Sequence, residues 1–147
     1  MKKFSKVLVL VLVVLLALTF VFGCGGEQGY VKLVVMTDME SKTYLVNTEG
    51  TDMAHLGDLL EYLQETEGLL YTESGGFISS VNGYAPDSTK NEFWGIYTDL
   101  KIGDIPYFDN SWGTVEVENK VLGSATKGIA ELPLSNGATY VLAISTY

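Results

Sequence analysis

The sequence predicts an α+β domain in which a mixed β-sheet packs on one main helix at about residues 52–67. The helix is predicted by a clear apolar stripe with the 3.6-residue helical period. The sheet is predicted by short runs rich in β-branched and aromatic residues, which lie before and after the helix and are separated by Gly, Asn, Asp and Pro. After removal of an N-terminal leader, a chain of this length is expected to form one domain.

The first 23 residues have the composition of a signal peptide. Three lysines lie within the first six residues, and residues 7–22 form a run of sixteen that is apolar apart from Thr19. The run is longer than most signal-peptide cores and shorter than the roughly 20 residues of a membrane span. We therefore expect residues 1–23 to be a signal peptide.

Cys24 is the only cysteine of the chain, and it follows the apolar run directly in the sequence Val21-Phe22-Gly23-Cys24-Gly25-Gly26. A single thiol excludes internal disulfides and cysteine metal clusters. The run resembles a bacterial lipobox, in which a small residue precedes a cysteine that becomes lipid-modified and N-terminal. The resemblance implies lipidation at Cys24, a lipidated tether over residues 24–29, and a bacterial cell-membrane lipoprotein that faces outside the cytoplasm. Ordinary secretion, or a retained helix with an incidental cysteine, is the alternative.

The charge balance of the chain argues against nucleic acid as a partner. Three of the nine basic residues lie in residues 1–23 and all 18 acidic residues lie beyond them, so the remaining chain has a formal charge of −12. Binding to phosphates requires a clustered basic face. We interpret the acidic surface as a means of keeping an exported protein soluble.

Residues 30–37 and 43–47 read as two strands that form an antiparallel hairpin through the polar residues 38–41. The helix is predicted to follow, capped by Thr51 or Asp52 and stopped by Gly68. Its apolar face consists of leucines at positions i, i+3, i+4 and i+7, namely Leu56, Leu59, Leu60 and Leu63. His55 lies beside this stripe without Cys, His or acidic partners at the spacing of a metal site, and we interpret it as structural.

The next strands are predicted around residues 76–97. A run from Phe77 ends at the tight-turn pair Asn82-Gly83, and a second strand covers residues 93–97. We expect these two strands to pair across an exposed loop at residues 85–92, with a short strand over residues 69–72 before them.

The remainder of the chain is harder to interpret. Residues 99–127 contain many turn formers, so we expect a functional or mobile insertion with a strand only at residues 114–117. Strands are predicted again over residues 129–134 and 140–144.

The predicted order of strand, strand, helix and further strands is that of a β-grasp domain. Three segments, residues 77–83, 93–97 and 129–140, also resemble the bacterial DUF4430 family. Its domains are similar to the C-terminal domain of transcobalamin and intrinsic factor, the vertebrate cobalamin carriers. The resemblance covers residues 30–144 and implies a DUF4430 or transcobalamin-like domain over residues 30–147. It implies cobalamin, or another corrinoid, as a ligand without a covalent cofactor.

Aromatic residues are the predicted ligand-binding groups. Alternation along the strand at residues 93–97 places Trp94 and Ile96 on one face, which we expect to contact the helix, and leaves Phe93 and Tyr97 more exposed. The chain has more aromatic side chains than a core with one helix should absorb, and flat faces suit flat ligands or partner proteins. The candidates are Tyr84, Phe93, Trp94, Tyr97, Tyr107, Phe108 and Trp112. Burial in the core is the alternative role for the same residues.

The function expected from these observations is binding rather than catalysis. The sequence shows no Cys-His or Ser-His-Asp pattern, phosphate loop or metal motif. Its 18 acidic residues allow many pairs of carboxylates, so the sequence does not decide whether a pair of the glycosidase type is present. We expect a lipoprotein that captures a small flat ligand, cobalamin in the first place, for uptake. A cell-surface interaction or adhesion module that contacts a transporter or another surface protein is the alternative.

Overall fold

The computed structural model describes residues 29–147, so the predicted signal peptide, Cys24 and most of the tether lie outside the described residues. One α-helix and a short 3₁₀ turn at Ser88–Lys90 accompany the strands of this range. In chain order the elements are β1 (Tyr30–Met36), β2 (Ser41–Asn47), α1 (Leu56–Thr66), β3 (Tyr71–Ser74), β4 (Phe77–Val81), β5 (Glu92–Thr98), β6 (Lys101–Ile102), β7 (Ile105–Pro106), β8 (Phe108–Val117), β9 (Lys120–Ala125) and β10 (Thr139–Thr146).

Six of the strands form one mixed sheet in the order β2-β1-β10-β5-β9-β8. Strands β1 and β10 pair in parallel, with Val34 opposite Val141, whereas the other pairs are antiparallel. The predicted hairpin of β1 and β2 is confirmed, with Tyr30 opposite Asn47. A mixed sheet with one helix agrees with the predicted α+β class, although most of the ordered structure is sheet.

The main core lies between α1 and one face of the sheet. All four leucines of the predicted stripe are buried, and they pack with Val31, Leu33, Tyr140 and Leu142 from the two parallel strands. The spacing i, i+3, i+4, i+7 places the leucines on one side of the helix, which explains their common burial. All these residues lie within residues 30–146, so this segment carries its own core.

A second, smaller apolar cluster covers the opposite, outer face of the sheet. It consists of Val34 of β1, Tyr97 of β5, Leu122 of β9, and Val141 and Ala143 of β10. The turn between β8 and β9 lies over β1, since the Glu118 carboxylate is 2.9 Å from Lys32 Nζ. The β8–β9 hairpin therefore covers the outer face in addition to extending the sheet.

The helix begins at Leu56, four residues later than predicted, and its N-cap is His55 rather than Thr51 or Asp52. A carboxylate oxygen of Asp58 accepts the backbone N–H groups of Ala54 and His55 at 2.8 and 2.9 Å. The preceding backbone is held extended because Leu134 donates its N–H to the Ala54 carbonyl, at 2.9 Å. The helix end was predicted correctly, since Gly68 has a φ of 68° just after the C-cap Glu67.

The strand predicted over residues 129–134 is absent. These residues form turns, and an isolated bridge between Pro133 and His55 holds them against the start of the helix. The apolar residues Ile129 and Leu132 are nevertheless buried, at 3% and 0% exposure. Their hydrophobic pattern therefore indicates packing rather than strand pairing.

The pairing predicted between the strands around residues 77–81 and 93–97 is wrong. Strand β4 pairs with β3, and β5 lies between β10 and β9 in the main sheet. The predicted tight turn is confirmed, because Asn82 and Gly83 have φ angles of 50° and 80°. That turn returns the chain only to Tyr84, which forms an isolated bridge with Val81.

Residues 99–127 form regular structure rather than an irregular insertion. They contain the small β6–β7 hairpin and the longer β8–β9 hairpin. The turn of the second hairpin has positive φ angles at Glu118 and Asn119, 52° and 63°, and glutamate is an unusual residue in this region. This turn was therefore hard to recognise in the sequence.

Candidate functional site

The surface formed by residues 29–147 includes four clefts of similar size, about 280 to 360 Å³ each. Three of them each have one glutamate among their lining residues, which is Glu118 in the first, Glu40 in the second and Glu67 in the third. The fourth, of about 300 Å³, is lined by residues 76–78, 93–96 and 124–128 and by Tyr147, without any Asp or Glu. We call it the aromatic cleft and regard it as the candidate site, because ligand pockets are mainly apolar with a few polar groups.

The aromatic cleft exists because two neighbouring strands separate. Strand β5 pairs with β10 along its whole length, from Glu92 to Thr98. Its register with β9 is limited to Tyr97 and Thr98. The edge of β5 at residues 93–96 therefore faces the cleft instead of another strand, and residues 124–128 form the opposite wall.

Two aromatic rings stack at one end of the cleft. The ring centroids of Phe93 and Tyr147 are 4.6 Å apart, with an angle of 25° between the planes. The backbone N–H of Tyr147 donates to the carbonyl of Asn91 at 3.3 Å. Phe77 adds a third ring to the lining and is 79% exposed. Flat apolar surface is thus available to a ligand.

Trp94 forms part of the cleft from the core side. It is 6% exposed and belongs to the main core, as predicted for the face of β5 that contacts the helix. Tyr84 meets it edge-on, with centroids 6.1 Å apart, and the Tyr84 carbonyl accepts the indole N–H at 3.3 Å. Tyr84 itself lines a different cleft, beside Met39 and Glu40. It therefore supports Trp94 and does not line the aromatic cleft.

Tyr97 does not have the exposure that the sequence predicted. It is 6% exposed and lies in the outer-face cluster, where Leu122 of the β8–β9 hairpin is a neighbour. Its hydroxyl is 2.6 Å from the hydroxyl oxygen of Ser145. Phe93, on the same face of β5, is half-buried beside Tyr147, because the β8–β9 hairpin covers Tyr97 and leaves Phe93 accessible.

The other three candidates lie away from the cleft. Tyr107 is half-buried and packs against the main core. Phe108 is also half-buried, with Lys101 Nζ 5.9 Å from its ring centroid. Trp112 is 66% exposed on the edge strand β8. Of the seven predicted residues, the aromatic cleft therefore contains Phe93 and Trp94.

Phe77, Tyr147 and Lys127 also line the cleft and were not predicted from the sequence. Phe77 begins a strand whose two faces both carry apolar residues, and the buried ones are Ile78 and Val81. Because alternation is broken within this strand, the sequence did not show which side faces outward. Tyr147 and Lys127 reach the cleft through the tertiary fold, and no local signal marks them.

The polar groups of the cleft are few and lie on one wall. Residues 124–128 contribute the hydroxyl-bearing residues Ser124 and Thr126 and the ammonium of Lys127. Lys127 Nζ is 3.5 Å from a carboxylate oxygen of Glu131, and both side chains are largely exposed. Such an arrangement can bind a ligand by stacking on one side and by polar contacts on the other.

Metal-ligating groups are not clustered in the described part of the chain. Among residues 29–147 no group of three or more His, Cys, Asp or Glu side chains lies close enough together to hold a metal ion. The same residues include no helix that is long and apolar enough to cross a membrane.

The six-stranded mixed sheet packed on one helix is similar in fold to two solved structures, one of which is a protein of the transcobalamin family. Haptocorrin in complex with Cbi (cobinamide) is similar in structure, with a TM-score of 0.54 at 14% sequence identity, over 84% of this chain and 26% of haptocorrin. A proposed metal-binding protein from Ruminococcus gnavus has a TM-score of 0.51 at 15% identity, over 82% of this chain and 99% of its own.

These similarities concern the fold. The chain spans about a quarter of the length of haptocorrin, and identities of 14% and 15% carry no information on binding residues. No protein-family model matches the chain, and no curated protein matches it at a significant level. The resemblance to DUF4430 therefore stays a prediction, whereas the transcobalamin-like fold is supported.

Proposed function

We propose that residues 30–147 form a binding domain for a small flat ligand, and that the ligand lies in the aromatic cleft. The observation that carries the proposal is the stacked pair of Phe93 and Tyr147 at an exposed cleft that contains no carboxylate side chain. Phe93 is half-buried and Tyr147 is 92% exposed, so the stacked pair offers a flat ligand an aromatic surface of matching shape.

A corrinoid, cobalamin or cobinamide, is the first candidate for this ligand. The fold likeness to haptocorrin in complex with Cbi supports the choice. The cleft of about 300 Å³ lies at the lower end of the usual range for ligand pockets. It is therefore proposed to contact one edge or face of a corrinoid, and binding is expected to be weaker than in a pocket that encloses the ligand.

The experiment is a calorimetric titration of the chain from residue 24 onward with cobinamide and with cobalamin. We expect saturable binding of at least one of them. Phe93→Ala should weaken it by up to about tenfold, since an aromatic pair contributes roughly 0.5–1.5 kcal/mol. Trp112→Ala is the matched control, because Trp112 is exposed but lies outside the cleft.

Two results would contradict this proposal. One is the absence of binding heat for both corrinoids at high concentration. The other is equal affinity in the parent chain and in Phe93→Ala, with thermal unfolding showing that both are folded. The first result would exclude a corrinoid as the ligand, and the second would exclude the aromatic cleft as the binding site.

The ligand-binding domain is further proposed to act outside the cytoplasm as a lipoprotein held at the membrane by Cys24. The support is the sequence of residues 1–26, with its apolar run followed by a glycine and the single cysteine. In this proposal the protein captures its ligand at the cell surface and has no catalytic role of its own.

Contact with a transporter subunit or another surface protein is the second candidate function. The observation that favours it is Trp112, which is 66% exposed on β8, an edge strand of the main sheet. Exposed tryptophans on edge strands are typical anchors of protein interfaces. Crosslinking in intact membranes, followed by comparison with Trp112→Ala, tests this function. Unchanged crosslinked partners in the variant would contradict it.

A further inference from the structure

We propose that the ligand of the aromatic cleft carries a carboxamide, or another neutral group with one hydrogen-bond donor beside one acceptor, which pairs with the backbone of Trp94. This inference rests on the proposed function and adds to it the polar group by which the ligand is held. The geometry that carries it is a stretch of β5 whose backbone has a partner strand on one side only.

The hydrogen bonds between β5 and β10 fix the direction in which the backbone groups of β5 point. Tyr147 donates its N–H to the Asn91 carbonyl at 3.3 Å, and the register of the two strands continues from there without a shift. In an antiparallel pair, residues that bond to the neighbouring strand alternate with residues whose N–H and C=O point the other way. Phe93 and Gly95 therefore bond to β10, whereas the N–H and C=O of Trp94 point toward the cleft.

On the cleft side the backbone of Trp94 has no partner within residues 29–147. The register of β5 with β9 is limited to Tyr97 and Thr98, and no turn or loop residue of this range forms a backbone hydrogen bond with Trp94. The residue is 6% exposed, so its backbone is largely withdrawn from water. Nearly all buried N–H and C=O groups in proteins are paired, because leaving them unpaired is unfavourable. A ligand group that pairs with both of them is therefore favoured at this position.

A carboxamide matches these two backbone groups. It holds an N–H donor and a C=O acceptor side by side, as an extended residue does. One such group can satisfy Trp94 while the flat body of the ligand lies against Phe93 and Tyr147, which line the same cleft. A carboxylate has acceptors only, so it would leave the Trp94 carbonyl unpaired and place a negative charge beside it. The backbone therefore selects a neutral group.

Two flat probes that differ in one donor test this selection. 2-Naphthamide carries both the donor and the acceptor, whereas methyl 2-naphthoate has nearly the same body and only the acceptor. Each is titrated into the isotope-labelled chain from residue 24 onward and followed by NMR. We expect the amide to bind about three- to tenfold more tightly, since one hydrogen bond of ordinary net strength separates the two probes.

Hydrogen exchange of individual N–H groups locates the contact. Exchange of the Trp94 N–H with solvent should slow when 2-naphthamide binds, because the ligand carbonyl then accepts that hydrogen. Gly95 is the internal control, since its N–H faces β10 and should be protected already in the free protein. Phe93→Ala should weaken both probes by the same factor, because it removes a ring of the cleft and leaves the backbone of β5 in place.

The outcomes separate this inference from the proposed function. If the two probes bind equally and both weaken in Phe93→Ala, the aromatic cleft stands as the site and the amide is wrong. Unchanged exchange of the Trp94 N–H at saturation also overturns the inference. If neither probe is weakened by Phe93→Ala, the cleft and the inference fall together. Tighter binding of an acetylated divaline amide than of 2-naphthamide would overturn the inference by assigning this edge of β5 to a strand of another protein.

Discussion

The side chain of Tyr97 bends over Gly95 and places its hydroxyl 2.6 Å from that of Ser145 on the neighbouring strand. A Cβ atom at position 95 would be 2.7 Å from Tyr97 Cε2 and from Ser145 Oγ. The absence of a side chain at Gly95 therefore makes room for the tyrosine on the outer face of the sheet.

Gly95→Ala is expected to destabilise the protein by about 1–3 kcal/mol, the usual cost of adding atoms to a well-packed site. Chemical denaturation followed by fluorescence measures the change. Gly128→Ala is the matched control, because a Cβ there would meet its nearest neighbour, the Gly76 carbonyl oxygen, at an ordinary 3.6 Å. Equal midpoints for the two variants would show that Tyr97 relaxes without cost.

Asp99 connects three strands of the main sheet. It follows β5, accepts the backbone N–H of Thr139 at 2.8 Å, and forms an ion pair with Lys120 of β9. Asp99→Asn keeps an acceptor and loses the charge, so we expect a loss below about 1 kcal/mol. Asp99→Ala also leaves the N–H of Thr139 unpaired, and Thr139 is 9% exposed, so about 1–3 kcal/mol more should be lost.

Urea denaturation of the two Asp99 variants and of Lys120→Met measures these contributions. Lys120→Met should resemble Asp99→Asn, because both remove the ion pair and keep an acceptor for Thr139. If Asp99→Ala were no less stable than Asp99→Asn, the hydrogen bond to Thr139 would have no role in the fold.

The start of α1 should make stability depend on pH. The N–H groups of Ala54 and His55 donate to Asp58 and hold the pKa of its carboxyl below the ordinary value of 3.8. A lowered pKa in the folded state means that the stabilisation is complete well above pH 3.8 and is lost as the pH falls through the folded-state value.

Asp58→Asn removes the carboxyl that becomes protonated in this range. The stability of the variant should therefore depend less steeply on pH between about pH 5 and 2 than that of the parent chain. Denaturation midpoints measured across this range provide the test. Asp52→Asn is the control, since Asp52 is exposed and lies before the cap. Parallel profiles for the parent chain and Asp58→Asn would contradict the proposed hydrogen bonds.

Cys24 gives a prediction about location. If the lipid is attached there, Cys24→Ser in the full-length protein should abolish incorporation of labelled palmitate, because the hydroxyl of serine does not replace the thiolate nucleophile. Membrane fractionation and labelling in a bacterial host are the measurements. A variant with Lys90→Met serves as the control, and retained label in Cys24→Ser would contradict lipidation.

The candidate site was predictable in part. Phe93 and Trp94 were recognised because three aromatics in five residues are conspicuous on a short strand. The exposure of Tyr97 was predicted wrongly, since alternation tells which residues share a face but not whether a later hairpin covers that face. Lys127 and Tyr147 lie 34 and 54 residues after Phe93, so no local pattern connects them to the cleft.

The sequence alone determined the leucine face of α1, the glycine that ends the helix, the Asn82-Gly83 turn and most strands of the main sheet. Each depends on neighbouring residues, through helical period, φ preference or β-propensity. The tertiary structure alone decided the partners of β4 and β5, the late start of the helix at Leu56, and the separation of β5 from β9. Strand partners are chosen by burial across the whole chain, and that choice opened the aromatic cleft.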